Sequence, residues 1–293
     1  MTLAKKHSIE ASEEGGVRFL HFGSEWVQGA MRIARPYALE LEYTREMMAC
    51  LLLRTDDDWP KRVLQVGLGA GSLTKFWHRY FPQTLQTIVE INPAVVAMAY
   101  QSFKLPREHN CDGARIDIHI ADGVSWMKNF PSSPINAKSG EKSRKGKGEK
   151  GEKPEHKFDC IMVDGYDANA RFGALGTEDF YRDCRARLSK RGLLVLNLFG
   201  RTHGYKSQID NLRAAFDNRV LALPPVEGGN AIAIAAVGET IHVDSQSLKV
   251  EALRVYKATG LKLAATIARM EQVGLTNDSQ AVRADSRKRR KKG

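Results

Sequence analysis

No stretch of this chain approaches the roughly 20 consecutive apolar residues that a membrane-spanning helix needs. Its opening, MTLAKKHSIEASEEGG, holds no apolar segment of the kind that directs export. Those two absences point to a cytoplasmic address and exclude membrane partners. Cysteine is sparse: Cys50, Cys111, Cys160 and Cys184 stand far apart, with no C-x-x-C pair among them. That spacing excludes a disulfide framework and a zinc site, and leaves buried, reduced thiols. No internal repeat is visible. Positive charge is abundant, with a formal net charge of +11, but it is concentrated. Residues 138–157 hold eight Lys or Arg against four Glu, and residues 283–292 hold seven against one Asp. The remainder is close to neutral, so the globular part has no basic bias. The two charged segments are too rich in Gly and Lys to fold. The reading is a disordered insertion over 131–157 and a disordered basic tail over 276–293, whose SRKRRKK can touch a polyanion weakly through counterion release.

What is present is a periodic α/β pattern. A hydrophobic content of 42% over 293 residues supports one substantial core. From Arg62 onward, short apolar runs alternate with helical patterns, the signature of a parallel sheet wound on both faces. RVLQVG (62–67), LQTIVE (85–90), RIDIHI (115–120), FDCIMV (158–163) and GLLVLNL (192–198) read as strands. Leu73, Phe76, Trp77 and Tyr80 make a helical stripe, and Asn92 before Pro93 is an N-cap followed by a first-turn proline. RVLAL and AIAIAA then read as an antiparallel pair at the sheet edge. This predicts a seven-stranded Rossmann-like sheet of the nucleoside-methyltransferase type over 61–240. A short N-terminal β-hairpin (VRFLHF, WVQGAM) and a helix over 1–60 precede it. Amphipathic helices over 241–275, broken near Gly260, follow it.

In such sheets ligands bind beyond the carboxyl ends of the strands, near the point where the strand order reverses. Here the first strand ends in Gly67, Gly69 and Gly71, a loop that turns tightly whether or not it meets a nucleotide. The second ends in Glu90, placed to take a ribose diol through two charge-assisted hydrogen bonds. Asp122 and Gly123 follow the third: the carboxylate can accept from an adenine amino group, or simply cap the helix VSWMKNF. The fourth runs into Asp164-Gly-Tyr-Asp167. Ribose and adenine contacts without basic groups for a pyrophosphate point to an adenosine sulfonium nucleoside. Asp164 and Asp167 flank its reactive end. An alkylamine with a pKa near 10 must lose a proton before it attacks carbon, so Asp164 is the candidate base and Asp167 a holder of the cation. An Asp-Gly turn is the plainer reading of the same residues.

These residues resemble the polyamine aminopropyltransferases, or spermidine synthases, from about residue 18 to 236. VEINPAVV, ADGVSW and MVDGYD are similar to the family's ribose-binding end, adenine-binding Asp-Gly and D-x-x-D motif, and LGTEDFYRDCRARLSKRGLLVLN to its Phe-Tyr helix and following strand. The resemblance implies transfer of an aminopropyl group from decarboxylated S-adenosylmethionine to an amine, with methylthioadenosine released and no metal. It implies Asp164 as proton acceptor, and a binding role for Gln28 in WVQGAM. Family assembly through the N-terminal region implies a homodimer. The chain also departs from the pattern. Ala70 stands where the family has an Asp that binds the donor's amino group, Thr44 and Arg45 replace a Tyr-His pair, and Ala168 and Arg171 replace prolines. VEGGN lacks a late tyrosine, and the N-terminal β-domain is shorter by a hairpin. A methyltransferase using S-adenosylmethionine itself, with Arg45 as partner for the donor carboxylate if it faces the pocket, is a second reading. A nucleoside-binding protein without turnover is a third.

Overall fold

The computed structural model describes residues 8–23, 27–56, 58–107, 116–130, 157–166, 172–199, 204–226 and 228–273. The expected insertion and basic tail therefore fall outside the described residues, except for Lys157, as do Asp167, Ala168, Arg171, Cys111 and the GSE turn beyond Gly23.

Among the described residues, ten strands form two sheets. β1 (Ile9–Glu14), β2 (Val17–Phe22) and β3 (Val27–Arg32) make an antiparallel N-terminal sheet. The expected hairpin is there as β2 and β3, and it carries an additional outer strand. β1 was not legible because IEASEE shows no apolar alternation: only Ile9 is partly buried and the other five residues are exposed.

The main sheet contains β4 (Arg62–Val66), β5 (Leu85–Glu90), β6 (Ile116–Ile120), β7 (Phe158–Val163), β8 (Leu188–Phe199), β9 (Val220–Ala222) and β10 (Asn230–Ala236). Their order is β6-β5-β4-β7-β8-β10-β9. The first five pair in parallel, and β10 lies antiparallel to both β8 and β9, giving the edge hairpin that the sequence predicts. β8 begins four residues before the expected run. Its polar start is held by tertiary bonds, with Ser189 Oγ donating to Asp159 Oδ1 at 2.9 Å and Arg191 paired with Asp56.

Alternation along the strands sorts side chains to two cores. Val63, Cys160, Met162, Leu193 and Val195 face one core, and Leu64, Val66, Ile161, Val163, Leu194 and Leu196 face the other. The first core is covered by α1 (Glu42–Met47), α2 (Cys50–Leu53), α3 (Ser72–Tyr80) and the C-terminal helices. The second lies under α5 (Gly123–Asn129), α6 (Glu178–Arg187) and α7 (Tyr205–Ala215). α4 (Pro93–Ser102) follows β5 and is capped by Asn92, whose Oδ1 accepts from the Ala94 amide at 3.0 Å.

α8 (Ser245–Thr259) stops at Gly260, which takes the left-handed conformation with φ of 74°, and a further helix runs over 264–273. Among the described residues no helix is long and apolar enough to cross a membrane. The strand order reverses between β4 and β7, and the carboxyl ends of those two strands open onto a large cavity.

Candidate functional site

The cavity, of about 790 Å³, is walled by the ends of β4, β5, β6 and β7, by β3 and α1, and by the segment before β10. The joint of β4 and β7 is tight. Gly67 takes φ of 93°, and a Cβ there would meet the Asp164 carbonyl oxygen at 2.2 Å. Only glycine permits both that backbone conformation and that approach. Gly123 is required for space: a Cβ would stand 2.5 Å from Val66 Cγ1.

Gln28, Gly67, Gly69, Glu90, Asp122, Gly123 and Asp164 all lie on the cavity wall. Sequence reasoning therefore picked out residues from four strand ends and β3 that the fold gathers at one place. Glu90 is buried, with Oε2 accepting from the Leu68 amide and Oε1 from the Asn92 amide, each at 2.9 Å. Burial raises its pKa and these backbone donors oppose the rise. The two amides orient the carboxylate and leave each oxygen a further lone pair for a ligand hydroxyl. Asp122 caps α5, accepting from the Ser125 amide at 2.8 Å, so the plainer reading of this residue is realised while its side chain still borders the cavity. β3 lies across the glycine loop, and the Gln28 carbonyl oxygen would be 3.2 Å from a Cβ on Gly69.

Asp164 is half-buried at the floor. Its Oδ2 accepts from the Tyr43 hydroxyl at 3.1 Å and its Oδ1 from Asn197 Nδ2 at 2.8 Å. Asn197 is itself fixed: its side-chain oxygen accepts from Asn230 Nδ2 at 2.9 Å, and its backbone carbonyl from the Tyr166 hydroxyl at 2.7 Å. Burial pushes the Asp164 carboxyl above its ordinary value, against the two hydrogen bonds that favour its charged form. Burial and the neighbouring Asp164 charge likewise raise the Tyr43 hydroxyl. Tyr43, Asn197 and Asn230 were missed in the sequence. The one available signal was Asn197, a polar residue inside the apolar run GLLVLNL.

The condition set on Arg45 is not met, and the Ala70 side chain lies away from the cavity. Arg45 does not face the cavity. Two positions beyond Tyr43 on a helix, it lies on the opposite side, and its guanidinium donates to the Leu39 and Glu40 carbonyls at 3.2 and 2.8 Å. Ala70 is not on the cavity wall either. It is 2% exposed and packs with Leu20, Met31 and Phe103, its methyl directed at Gly29, where an added Cβ would meet it at 2.7 Å. Among the described lining residues there are four carboxylates, Glu42, Glu90, Asp122 and Asp164, and no Lys, Arg or His.

No protein-family model matches the chain. Curated relatives do. A polyamine aminopropyltransferase from Chromobacterium violaceum is 34% identical over 264 residues, covering 90% of this chain and 89% of that one. A polyamine aminopropyltransferase from Neisseria meningitidis serogroup B is 36% identical over 253 residues, covering 86% and 85%. Among solved structures, a probable spermidine synthase from Corynebacterium glutamicum shares the fold with a TM-score of 0.63 at 19% identity, over 88% of this chain and 92% of that chain. Human methyltransferase-like protein 13, solved in complex with SAH, has a TM-score of 0.59 at 25% identity, over 75% and 93%. With relatives of this identity matched along most of both sequences, the chain belongs to the polyamine aminopropyltransferase family of transferases.

Proposed function

We propose that the chain moves an aminopropyl group from decarboxylated S-adenosylmethionine to a polyamine-type amine, and that the cavity described above is where it does so. The observation that carries this reading is the charge of the wall: four carboxylates and no cation among the described lining residues. Such a surface favours a donor whose tail ends in an ammonium and gives a donor carboxylate no partner, which argues against intact S-adenosylmethionine. Glu90 would take the ribose hydroxyls, Asp122 and Gly123 the adenine edge, and Gly67 and Gly69 the close approach of the nucleoside, with Gln28 closing over it. Asp164 would accept the proton of the attacking ammonium, and Asp167 would hold the acceptor's charge. The freed nitrogen lone pair then forms a bond to the methylene carbon beside sulfur. The carbon–sulfur bond breaks with its electrons on sulfur, and the sulfonium leaves as neutral methylthioadenosine. Burial that raises the Asp164 carboxyl brings a base closer to the pH at which it must work.

Calorimetry against the two donors tests the reading. Binding of the decarboxylated donor at least about tenfold tighter than the intact one is expected. Equal or preferred binding of intact S-adenosylmethionine supports methyl transfer instead, and binding of neither leaves a protein without this activity. The same reading carries a homodimer, tested by light scattering, a cytoplasmic site of action, and a weak salt-sensitive contact of the basic tail with polyanions.

A further inference from the structure

The two hydrogen bonds on Asp164 come from different elements of the cavity wall. Tyr43 reaches Oδ2 from α1. Asn197 reaches Oδ1 from β8, and is itself held by Asn230 at the start of β10. α1 packs directly on β8 and β10, and one side chain adds a tie, from outside the cavity, between α1 and the segment that leads into β10. Arg269, on the helix over 264–273, donates from Nη1 to the Glu46 carboxylate, three residues beyond Tyr43 on α1. It donates from Nη2 to the Pro224 carbonyl, in the segment between β9 and β10. That segment presents Val226 and Gly228 to the cavity and ends at Asn230, whose carbonyl accepts from the Val226 amide at 2.8 Å.

The helix that carries Arg269 is seated by Ile267 and Met270 in the first core, with Leu263 buried just ahead of it, so the guanidinium approaches from a fixed base. Glu46 is 3% exposed, and its other oxygen has no partner, so the Arg269 contact is what offsets its buried charge. A guanidinium is a planar fork whose separate nitrogens can serve two acceptors at once. A lysine ammonium is a point donor on a narrower stem.

We propose that Arg269 is a positioning residue for proton transfer: by tying α1 to the segment between β9 and β10, it fixes the two donors that orient Asp164. This rests on Asp164 being the base, as proposed above.

The test is Arg269→Lys, which keeps a cation for Glu46 and gives up the reach to Pro224. With decarboxylated S-adenosylmethionine and a diamine, kcat falls about tenfold, the cost of loosened geometry at a reacting centre. The acid limb of kcat also moves to higher pH, because weaker hydrogen bonds stabilise the carboxylate less. The groups facing Asp164 are Tyr43 of α1, Tyr166 of the turn after β7 and Asn197 of β8, with Glu42, Glu90 and Asp122 the other carboxylates of the wall. None of these is altered by the substitution.

Affinity for methylthioadenosine stays within about twofold, since Gly67, Gly69, Glu90 and Asp122, which would hold it, belong to neither tied segment. Unchanged kcat and pH limb overturn the proposal, and so does a parallel fall in kcat and methylthioadenosine affinity, which is the mark of general loosening. If the unaltered chain transfers no aminopropyl group, the proposed function fails on its own. Amide hydrogen exchange then decides the inference: faster exchange over both 42–47 and 224–230 in Arg269→Lys supports the tie, and unchanged exchange in either overturns it.

Discussion

Asp164 shows how one residue depends on distant ones. Its carboxylate could be singled out in the sequence because it ends an apolar strand beside a glycine. Its hydrogen-bond partners could not, since Tyr43 lies 121 positions away and Asn197 33. Asp164→Asn should lower kcat by about 10² to 10⁴-fold, the usual worth of a positioned base, while calorimetry finds methylthioadenosine binding retained. Only the deprotonated carboxyl can accept a proton. Because burial raises its pKa, activity should climb with pH through a limb lying above the ordinary carboxylate range, as a pH profile of kcat/KM would record. Lys75 also carries a strong environmental signature. It is 1% exposed, donates to the Phe103 carbonyl at 2.8 Å, and has its pKa lowered by burial, and then by Lys104, to about 7. Between about pH 7 and the ordinary lysine value near 10.4 the unfolded chain binds more protons than the folded one, so unfolding free energy rises with pH there. Urea denaturation at pH 7, 8 and 9 should show a steady gain, on the order of 1 kcal/mol per pH unit. Lys75→Met should flatten that slope.

Among the elements, the glycine loop and β3 act as one unit. Ser72 Oγ donates to the Ala30 carbonyl at 3.2 Å, and Gly29 leaves just enough room for the Ala70 methyl. Ala70 was read as the place where a donor-binding carboxylate had been lost. In this chain its side chain points into the apolar cluster of Leu20, Met31 and Phe103. Ala70→Asp should therefore fail to tighten donor binding. It should instead cost several kcal/mol, measured as a lowered thermal midpoint, because it buries a carboxylate with no partner. Most strand boundaries followed from apolar alternation, with β5 and β7 matching to the residue. β1 and the start of β8 did not, because their polar residues are held by neighbours across the fold and carry no local periodicity.

Taken whole, the molecule depends on its last two described helices as much as on its sheet. Leu248, Val255, Leu261, Leu263, Ile267 and Met270 are all at most 6% exposed and belong to the first core. At about 2 kcal/mol for each buried side chain, they are comparable to the whole stability of an ordinary domain, on the order of 5–15 kcal/mol. A chain ending at Val243 should thus lose its cooperative thermal transition and its near-ultraviolet circular dichroism, while keeping much of its far-ultraviolet signal. Survival of a cooperative transition would show that the sheet is stable without them.

The sequence by itself determined the α/β pattern, the glycine loop and the acidic strand ends, because alternation, helical period and turn chemistry are local properties of the chain. Tertiary structure alone decided which way Ala70 and Arg45 point, which donors reach Asp164, and that Arg269 joins two walls of the cavity. Those outcomes depend on the packing of segments far apart in sequence, and no local period encodes such packing.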